Sequence, residues 1–451
     1  MHKIKVAPLI KIVLSFIVII FVGFALFMLP FSTHDGIAWY DALFTSFSAV
    51  CVTGLSPVAN ISETFTVFGI IVLGLLIQVG GLGFVTIAVF IMRILGTKIG
   101  FNDRALVKEA LNQSTQTGVI KLVVSIIRTT LILEGVAFIL NLFVFIPDFG
   151  VKGIGISLFH AVSTFNNAGF DLLGDSSLIA YADNPFLVIT TSIFITLGGL
   201  GFIVIHEVCR KRSWKNLSLH SKIVIKMTAF LIISGTLLFK FSESLTSEIT
   251  WLEAFFQSVT ARTAGFATIS FGAVNGITIL IMLVYMFIGA SPSSTGGGVK
   301  TTTIYTMYKT IVSYSKGKKP IVYDREVSKQ SIHKAFMLCF LGVTCITLFT
   351  LTILTIEILF KVKLQGLQLN EVTAGQIALQ NILFEVGSAF GTVGLSTGIT
   401  SGLEPLSKVV MCLVMFLGRL GPLTIFSILN RNYNKPSDGE VEYLEHEMLI
   451  G

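Results

Sequence analysis

The sequence contains few charged residues. Only 13% of its 451 residues are charged, whereas 53% are hydrophobic. Because a soluble domain averages about a quarter charged residues, this scarcity excludes an ordinary soluble protein and indicates an integral membrane protein. The formal net charge of +7 would also suit a nucleic-acid partner. The cations, however, cluster in short connections beside apolar segments, where membrane topology explains them, so we predict no nucleic-acid partner.

Motifs for catalysis and cofactor binding are also scarce. The five cysteines have no CxxC spacing and predict neither a disulfide framework nor a zinc site. His206-Glu207 begins like HExxH, but Arg210 occupies the position of the second histidine. Ser291 has no following glycine and no mid-membrane histidine as its base, which argues against an intramembrane serine protease. No Gly-x-Gly-x-x-Gly follows a strand, so we predict no enzyme and no nucleotide bound by this chain.

Eight apolar segments are long enough to cross a bilayer, which takes about 20 residues of helix. They predict transmembrane spans over residues 7–30, 66–95, 121–147, 184–209, 221–241, 272–314, 331–360 and 403–429. The first apolar run is too long for a cleaved signal peptide and lacks a small-residue cleavage site, so it is counted as a span.

One short sequence occurs four times between these segments. Each copy ends in a glycine that Leu or Phe follows, and a phenylalanine stands ten residues before that glycine. The spacing predicts a pore helix of about two to three turns that unwinds into a loop. We name the last four residues of the copies glycine loops 1 to 4. Their members are Cys51, Val52, Thr53 and Gly54; Asn166, Asn167, Ala168 and Gly169; Arg262, Thr263, Ala264 and Gly265; and Gly391, Thr392, Val393 and Gly394.

The glycine loops predict an ion-conducting pore. Glycine tolerates φ > 0 and lets backbone carbonyls point where a side chain would intrude. A non-helical loop is tolerated in lipid only where it lines a cavity or is buried in protein, so the four loops are expected to face one another. A ring of carbonyl oxygens would then replace the water shell of a cation, as in potassium filters.

The order of span, glycine loop and span predicts four tandem repeats in one membrane domain. The predicted bounds are residues 1–100, 101–216, 217–318 and 319–430, with a tail at 431–451. The fold class is therefore an all-α membrane protein with eight transmembrane helices around a central pore. Lysine and arginine dominate one set of connections, around residues 3–11, 93–108, 210–222 and 309–334. The positive-inside rule predicts a multi-pass cell-membrane protein with both termini cytoplasmic and the glycine loops opening outward.

Glycine clusters occur in the second span of three repeats. Two of them, Gly80-Gly81-Leu82-Gly83 and Gly198-Gly199-Leu200-Gly201, are interpreted mainly as close helix packing by small residues. The third contains Arg419 between Gly418 and Leu420. A charge inside a membrane must face a cavity or a partner, so Arg419 is predicted to be functional.

The second span of repeat 3 is interrupted by residues 289–300, which we name the small-residue loop. One proline and four glycines among small polar residues cannot hold a regular helix. Its apolar flanks put the loop near the middle of the membrane, beneath the glycine loops, where we interpret it as a gate; an inert kink is the alternative. The predicted gate residues are Gly289, Ala290, Ser291, Ser293, Ser294, Thr295, Gly296, Gly297, Gly298, Lys300 and Arg419.

Two further charges lie beside the predicted ion path. Arg262 is three residues before the glycine of loop 3, and Glu385 is nine before that of loop 4. An unpaired arginine would repel the ion, and an unpaired glutamate would be costly to bury. We predict a buried ion pair that braces loops 3 and 4. The alternative has Arg262 facing the outer vestibule and Glu385 bonded to nearby backbone or water.

The four loops, the span order and the broken sixth span together resemble the ion-conducting subunit of the Ktr/Trk/HKT superfamily of potassium transporters, of KtrB/KtrD type. The resemblance covers essentially the whole chain. Its most specific pieces are Val52-Thr53-Gly54-Leu55, Phe165-Asn166-Asn167-Ala168-Gly169-Phe170, Arg262-Thr263-Ala264-Gly265-Phe266 and Gly391-Thr392-Val393-Gly394-Leu395, to which Leu417-Gly418-Arg419-Leu420-Gly421-Pro422 adds. The lack of two extra leading spans favours the Ktr type over the Trk type. Cys51 and Ala261 depart from the expected Thr and Pro, which leaves fine selectivity open.

The resemblance implies a membrane homodimer, embedded in lipid, with one pore per subunit. It also implies control by a cytoplasmic ring of nucleotide-binding RCK subunits of KtrA/KtrC type, to which the basic connections and the acidic tail are candidate contacts. Potassium is the implied transported ion, and sodium dependence rests on resemblance alone. A sodium-selective or sodium/potassium-coupled transporter stays an alternative. Glycine in all four loops favours potassium, since in this family a serine in the first loop accompanies sodium preference.

Overall fold

The computed structural model describes residues 8–97, 100–111, 117–174, 177–246, 248–365 and 372–422, and this part of the chain is mostly helical. The first half contains helices α1 (Pro8–Phe27), α2 (Trp39–Cys51), α3 (Ile61–Thr64), α4 (Val67–Leu82), α5 (Phe84–Ile94), α6 (Phe101–Ala110), α7 (Val119–Phe149), α8 (Lys152–Phe165), α9 (Pro185–Leu200) and α10 (Phe202–Lys211), with a 3-10 turn at Ile179–Tyr181.

The second half follows the same order of long helix, short helix and second helix. It contains a 3-10 turn (Trp214–Asn216), α11 (Leu219–Glu243), α12 (Trp251–Thr260), α13 (Gly276–Phe287), α14 (Thr301–Ser315), the hairpin strands β1 (Ile321–Val322) and β2 (Arg325–Glu326), α15 (Lys329–Gln365), α16 (Val372–Gly391), a 3-10 turn (Thr400–Gly402) and α17 (Pro405–Leu420). The acidic tail and the end of the predicted eighth span lie outside the described residues.

Local sequence explains where the second helices of the repeats begin. Thr66, Asn184 and Asn275 accept hydrogen bonds from backbone amides in the first turns of α4, α9 and α13. Such N-caps satisfy donors that a helix start otherwise leaves unpaired. Proline stands in the first turn of α9 and α17, where its missing N–H costs nothing.

The predicted second and fourth spans are not single helices. The axis turns by 97° between α4 and α5 and by 99° between α9 and α10. Both turns occur at a glycine with positive φ, Gly83 (79°) and Gly201 (92°), and Gly421 has the same conformation (83°) after α17. The interpretation of the first two clusters mainly as helix packing therefore needs an addition, because one glycine of each ends a helix in a conformation that disfavours side chains.

Length and composition identify four membrane-spanning helices in the described part of the chain, namely α1, α7, α11 and α15. Counting each bent pair as one span raises the number to six. The other two predicted spans correspond to the interrupted pair α13 and α14, and to α17.

The four pore helices α2, α8, α12 and α16 are arranged in a ring. Each packs on the second helix of the preceding repeat: α8 on α4, α12 on α9, α16 on α13, and α2 on α17. The contact between α17 and α2 closes the ring and includes a partly buried ion pair, Lys408 Nζ to Asp41 Oδ1 at 2.7 Å. Since the glycine loops follow directly after the pore helices, this packing brings the ends of all four helices to one axis.

Candidate functional site

All four glycine loops have the same backbone conformation. The glycine has positive φ in each, at 92° for Gly54, 71° for Gly169, 82° for Gly265 and 94° for Gly394. The residue two positions earlier also has positive φ, although it carries a side chain: Val52, Asn167, Thr263 and Thr392. Non-glycine residues rarely adopt this region, and such strain persists only where the surroundings hold it.

The four glycines meet the neighbouring loops in cyclic order. A Cβ added at any of them would lie under 3.0 Å from a backbone carbonyl oxygen of the next loop. The pairs are Gly54 with Ala168, Gly169 with Ala264, Gly265 with Val393, and Gly394 with Thr53. The structure thus brings the sequence-predicted loops together as one closed ring of backbone, in the order 1-2-3-4. At this spacing there is no room for any side chain at the four positions.

Serine and threonine side chains of the pore helices fix the loops, and the sequence reasoning missed them. The Ser48 hydroxyl accepts from Gly54 N at 3.1 Å, and Ser388 accepts from Gly394 N at 3.0 Å. The Ser163 and Thr260 hydroxyls instead donate to the carbonyl after the glycine, at 2.6 Å each. Three of the four stand six residues before a loop glycine. This six-residue spacing recurs in the aligned sequence copies and could have identified these serines from the sequence alone.

The electrostatics of the ring favour a cation. Each pore helix ends where its glycine loop begins, so four helix C-termini converge on the ring. A helix C-terminus has a partial negative charge of about half an elementary charge. Among the described residues no group of three His, Cys, Asp or Glu side chains offers a metal site. The ligands available to an ion at the ring are therefore carbonyl and hydroxyl oxygens, including the buried Thr53 hydroxyl, which has no hydrogen-bond partner there.

The small-residue loop lies directly against glycine loops 3 and 4. Gly297 N donates to Thr392 Oγ1 at 2.9 Å, and a Cβ at Gly296 would overlap Thr263 Oγ1. Ser291 N donates to Gly199 O at 3.1 Å, which ties the loop to the break between α9 and α10. A parallel bridge between Ile288 and Val299 closes the loop at its base.

Two basic side chains, Arg419 and Lys300, donate hydrogen bonds to backbone carbonyls of the small-residue loop. Arg419 donates to the carbonyl oxygens of Thr295, in the small-residue loop, and Gly80, in α4. Lys300 Nζ donates to Gly296 O at 2.7 Å and Gly297 O at 3.3 Å. Three carbonyl oxygens of the small-residue loop, those of Thr295, Gly296 and Gly297, thus accept hydrogen bonds from Arg419 and Lys300.

Two cavities lie on opposite sides of the ring. One, of about 340 Å³, is lined by all four loop glycines together with Asp171. The other, of about 530 Å³, is lined by the small-residue loop, Arg419 and residues of α1 such as Phe16. The glycine loops line the smaller cavity and the small-residue loop lines the larger one, and the two cavities share no lining residue.

The predicted ion pair between Arg262 and Glu385 was wrong. Glu385 accepts hydrogen bonds from Ser396 Oγ (2.6 Å), Thr397 N (2.9 Å) and Thr400 Oγ1 (2.8 Å), all in the segment after its own glycine loop. Arg262 reaches Thr228 of α11 at 3.3 Å, and no ion pair found in the described residues joins it to Glu385. Local donors solvate the carboxylate, so the arginine is not needed. The alternative of bonds to nearby groups was correct for Glu385.

Comparison with known proteins gives consistent matches over nearly the whole chain. The family model described as "TrkH: Cation transport protein" matches residues 7–443. The Ktr system potassium uptake protein B of Bacillus subtilis (strain 168) is 38% identical over 97% of this chain and 95% of its own length. The potassium/sodium uptake protein NtpJ of Enterococcus hirae is 35% identical over 99% of this chain and 98% of its own length.

A solved structure has the same fold. The crystal structure of the potassium transporter TrkH from Vibrio parahaemolyticus superposes with a TM-score of 0.71 at 20% identity, covering 96% of this chain and 87% of that chain. This similarity confirms the predicted all-α membrane fold.

Proposed function

Because the chain belongs to the TrkH family of cation transport proteins, we propose that it takes up potassium across the cell membrane through a gated pore. The observation that carries the proposal is the closed ring in which each loop glycine lies against a carbonyl oxygen of the next loop. Four helix C-termini and a ring of carbonyls can replace the hydration shell of a cation. In this proposal the glycine loops are the selectivity filter.

The filter is tested by substitution of one of its glycines. Gly54→Ser introduces a Cβ that overlaps the Ala168 carbonyl, so we expect a lower ratio of potassium to sodium uptake. Gly36→Ser is the matched control, since Gly36 also has positive φ (81°) but no atom lies within 4 Å of its Cβ position. Uptake is measured in cells that lack their own potassium uptake systems. Equal ratios in both variants would reject the filter, and failure of the wild type to restore growth at low potassium would reject the transporter.

We propose that the small-residue loop is the gate. The support is that it packs against glycine loops 3 and 4 and lines the larger cavity, and that Arg419 donates hydrogen bonds both to it and to α4. Deletion of residues 293–297 is expected to raise the flux, and Arg419→Ala is expected to act in the same direction because the tie and a repelling charge are lost. Arg419→Lys keeps the positive charge, so it tests only the loss of the arginine's hydrogen bonds to Thr295 and Gly80. Unchanged flux in a stably expressed deletion variant would leave the loop an inert kink.

Control by partners is proposed from the relatives named as Ktr system components. We propose a homodimer whose basic connections face the cytoplasm and contact an RCK ring. In this proposal a signal from the ring reaches the gate through α10, where Phe202 N donates to the Ser293 carbonyl of the small-residue loop at 3.0 Å. Co-purification from the native cell tests this. Recovery of the chain as a monomer without any RCK protein would contradict it.

A sodium-coupled or sodium-selective transporter is the second candidate, because one relative is named a potassium/sodium uptake protein. Potassium uptake measured with and without sodium, together with sodium uptake itself, distinguishes it from a potassium-selective pore.

A further inference from the structure

A buried carboxylate in the middle of the membrane has no role in the ion path described above. Glu134 is the central residue of α7, with fifteen residues on either side in Val119–Phe149. Its side chain is 7% exposed. An ionisable group at this depth is costly and is retained where a function needs it.

The partners of Glu134 are amides rather than cations. Asn166 Nδ2 donates to Glu134 Oε1 at 2.9 Å, and Gln78 Nε2 lies 3.3 Å from Oε2. Asn166 Nδ2 is also 2.9 Å from Gln78 Oε1. The ion pairs of the described residues do not include Glu134. The three side chains form one network that joins α4, α7 and glycine loop 2.

Asn166 connects this network to the filter. It follows the last residue of α8 and is the first residue of glycine loop 2, three positions before Gly169. The other side of its amide lies against Gly81, where an added Cβ would overlap Asn166 Oδ1. Asn166 Oδ1 is buried without a hydrogen-bond partner, so the amide is held through its nitrogen, which lies 2.9 Å from Glu134 Oε1, Gln78 Oε1 and Val162 O.

The contacts suit a group with two acceptor oxygens at this position. Both oxygens of Glu134 accept, and so receive the amide groups of Asn166 and Gln78 together. Glu134→Gln would replace one acceptor oxygen by an NH2 group, and this donor would face the NH2 group of Asn166 or Gln78. A leucine would leave the Asn166 amide with fewer partners in a buried site, and unpaired buried polar groups are penalised.

We propose that Glu134 is a specificity-determining positioning residue, which sets the geometry of glycine loop 2 through Asn166. The inference rests on the proposed filter function. Glu134 does not touch the ion in this proposal. It fixes Asn166, and through Asn166 it sets the direction in which the backbone carbonyls of glycine loop 2 point into the ring.

The test compares Glu134→Gln and Glu134→Leu with Asn141→Leu. Asn141 is a matched control: it lies on the same helix, is 2% exposed, and bonds to Ser157 O of α8, away from the loop. The readout is the ratio of potassium to sodium uptake, with protein amount in the membrane measured in parallel. A merely structural role would lower both fluxes together and leave their ratio unchanged.

We expect Glu134→Gln to lower the ratio by about three- to tenfold, and Asn141→Leu to leave it unchanged. Gln78→Met, which removes one partner of Glu134, is expected to lower it as well and serves if Glu134→Leu does not fold. An unchanged ratio in Glu134→Gln and Gln78→Met, while Gly54→Ser changes it, would overturn this inference alone. An unchanged ratio in all three would overturn the proposed filter as well.

Discussion

Gly80→Ala is predicted to displace the first glycine loop although the substitution lies on another helix. Gly80 packs against the carbonyl oxygen of Val50, which is four residues before Gly54, and an added Cβ would lie under 3.0 Å from it. Gly198 and Gly418 make the same approach to Phe165 and Phe390, four residues before the glycines of loops 2 and 4. The contact is therefore a repeated support of the filter.

The magnitude follows from the kind of atom that is met. The overlap is with backbone, which cannot turn away as a flexible side chain would, so either α4 or the end of α2 must shift. Overpacking of this kind costs about 1–3 kcal/mol of stability. Gly74→Ala on the same helix is the control, because its nearest atom is 3.8 Å away, on the Phe159 side chain. That variant is expected to be neutral or to gain up to about 1 kcal/mol from helix propensity.

The assay measures the free energy of unfolding in detergent and potassium uptake in cells for both variants. We expect Gly80→Ala to lose stability and to lower the ratio of potassium to sodium uptake, whereas Gly74→Ala keeps both. Equal stability and equal uptake in the two variants would refute the argument, since their difference lies only in what the added methyl group meets.

Three further predictions follow from other contacts. Lys408→Met alone should cost about 1.5–3 kcal/mol, because it removes a charged hydrogen bond to the partly buried Asp41 where α17 closes the ring, and the double variant with Asp41→Asn should recover part of that loss; thermal unfolding in detergent checks both. Burial raises the pKa of Asp171 to about 6, and it is the one carboxylate among the described residues of the smaller cavity. Potassium uptake at low potassium should therefore fall as the pH drops below about 6 and the charge is lost, and Asp171→Asn should be low at every pH. Thr250→Val should destabilise α12 by about 1 kcal/mol, because Thr250 and Glu253 form its capping box.

The membrane class, the four glycine loops and the break in the third repeat were predictable from sequence. Each depends on local properties: the fraction of charged residues, the recurrence of Gly54 and its three counterparts, and the proline and glycines around Pro292 that prevent a helix. The resemblance to potassium transporters drawn from these motifs is confirmed by the family match over residues 7–443. The exact bounds of the repeats remain predictions.

Only the tertiary structure decided which distant groups meet. The sequence could not tell that Glu385 bonds to the segment after its own loop, or that Glu134 of α7 bonds to Asn166, the residue after α8. The turn at Gly201 depends likewise on what packs beside it, since an added Cβ there would overlap the Pro292 carbonyl and the Ser293 carbonyl accepts from Phe202 N just after the turn. Local pattern determines which segments are helices and loops, whereas the partner of a buried polar group depends on the packing of elements far apart in the chain.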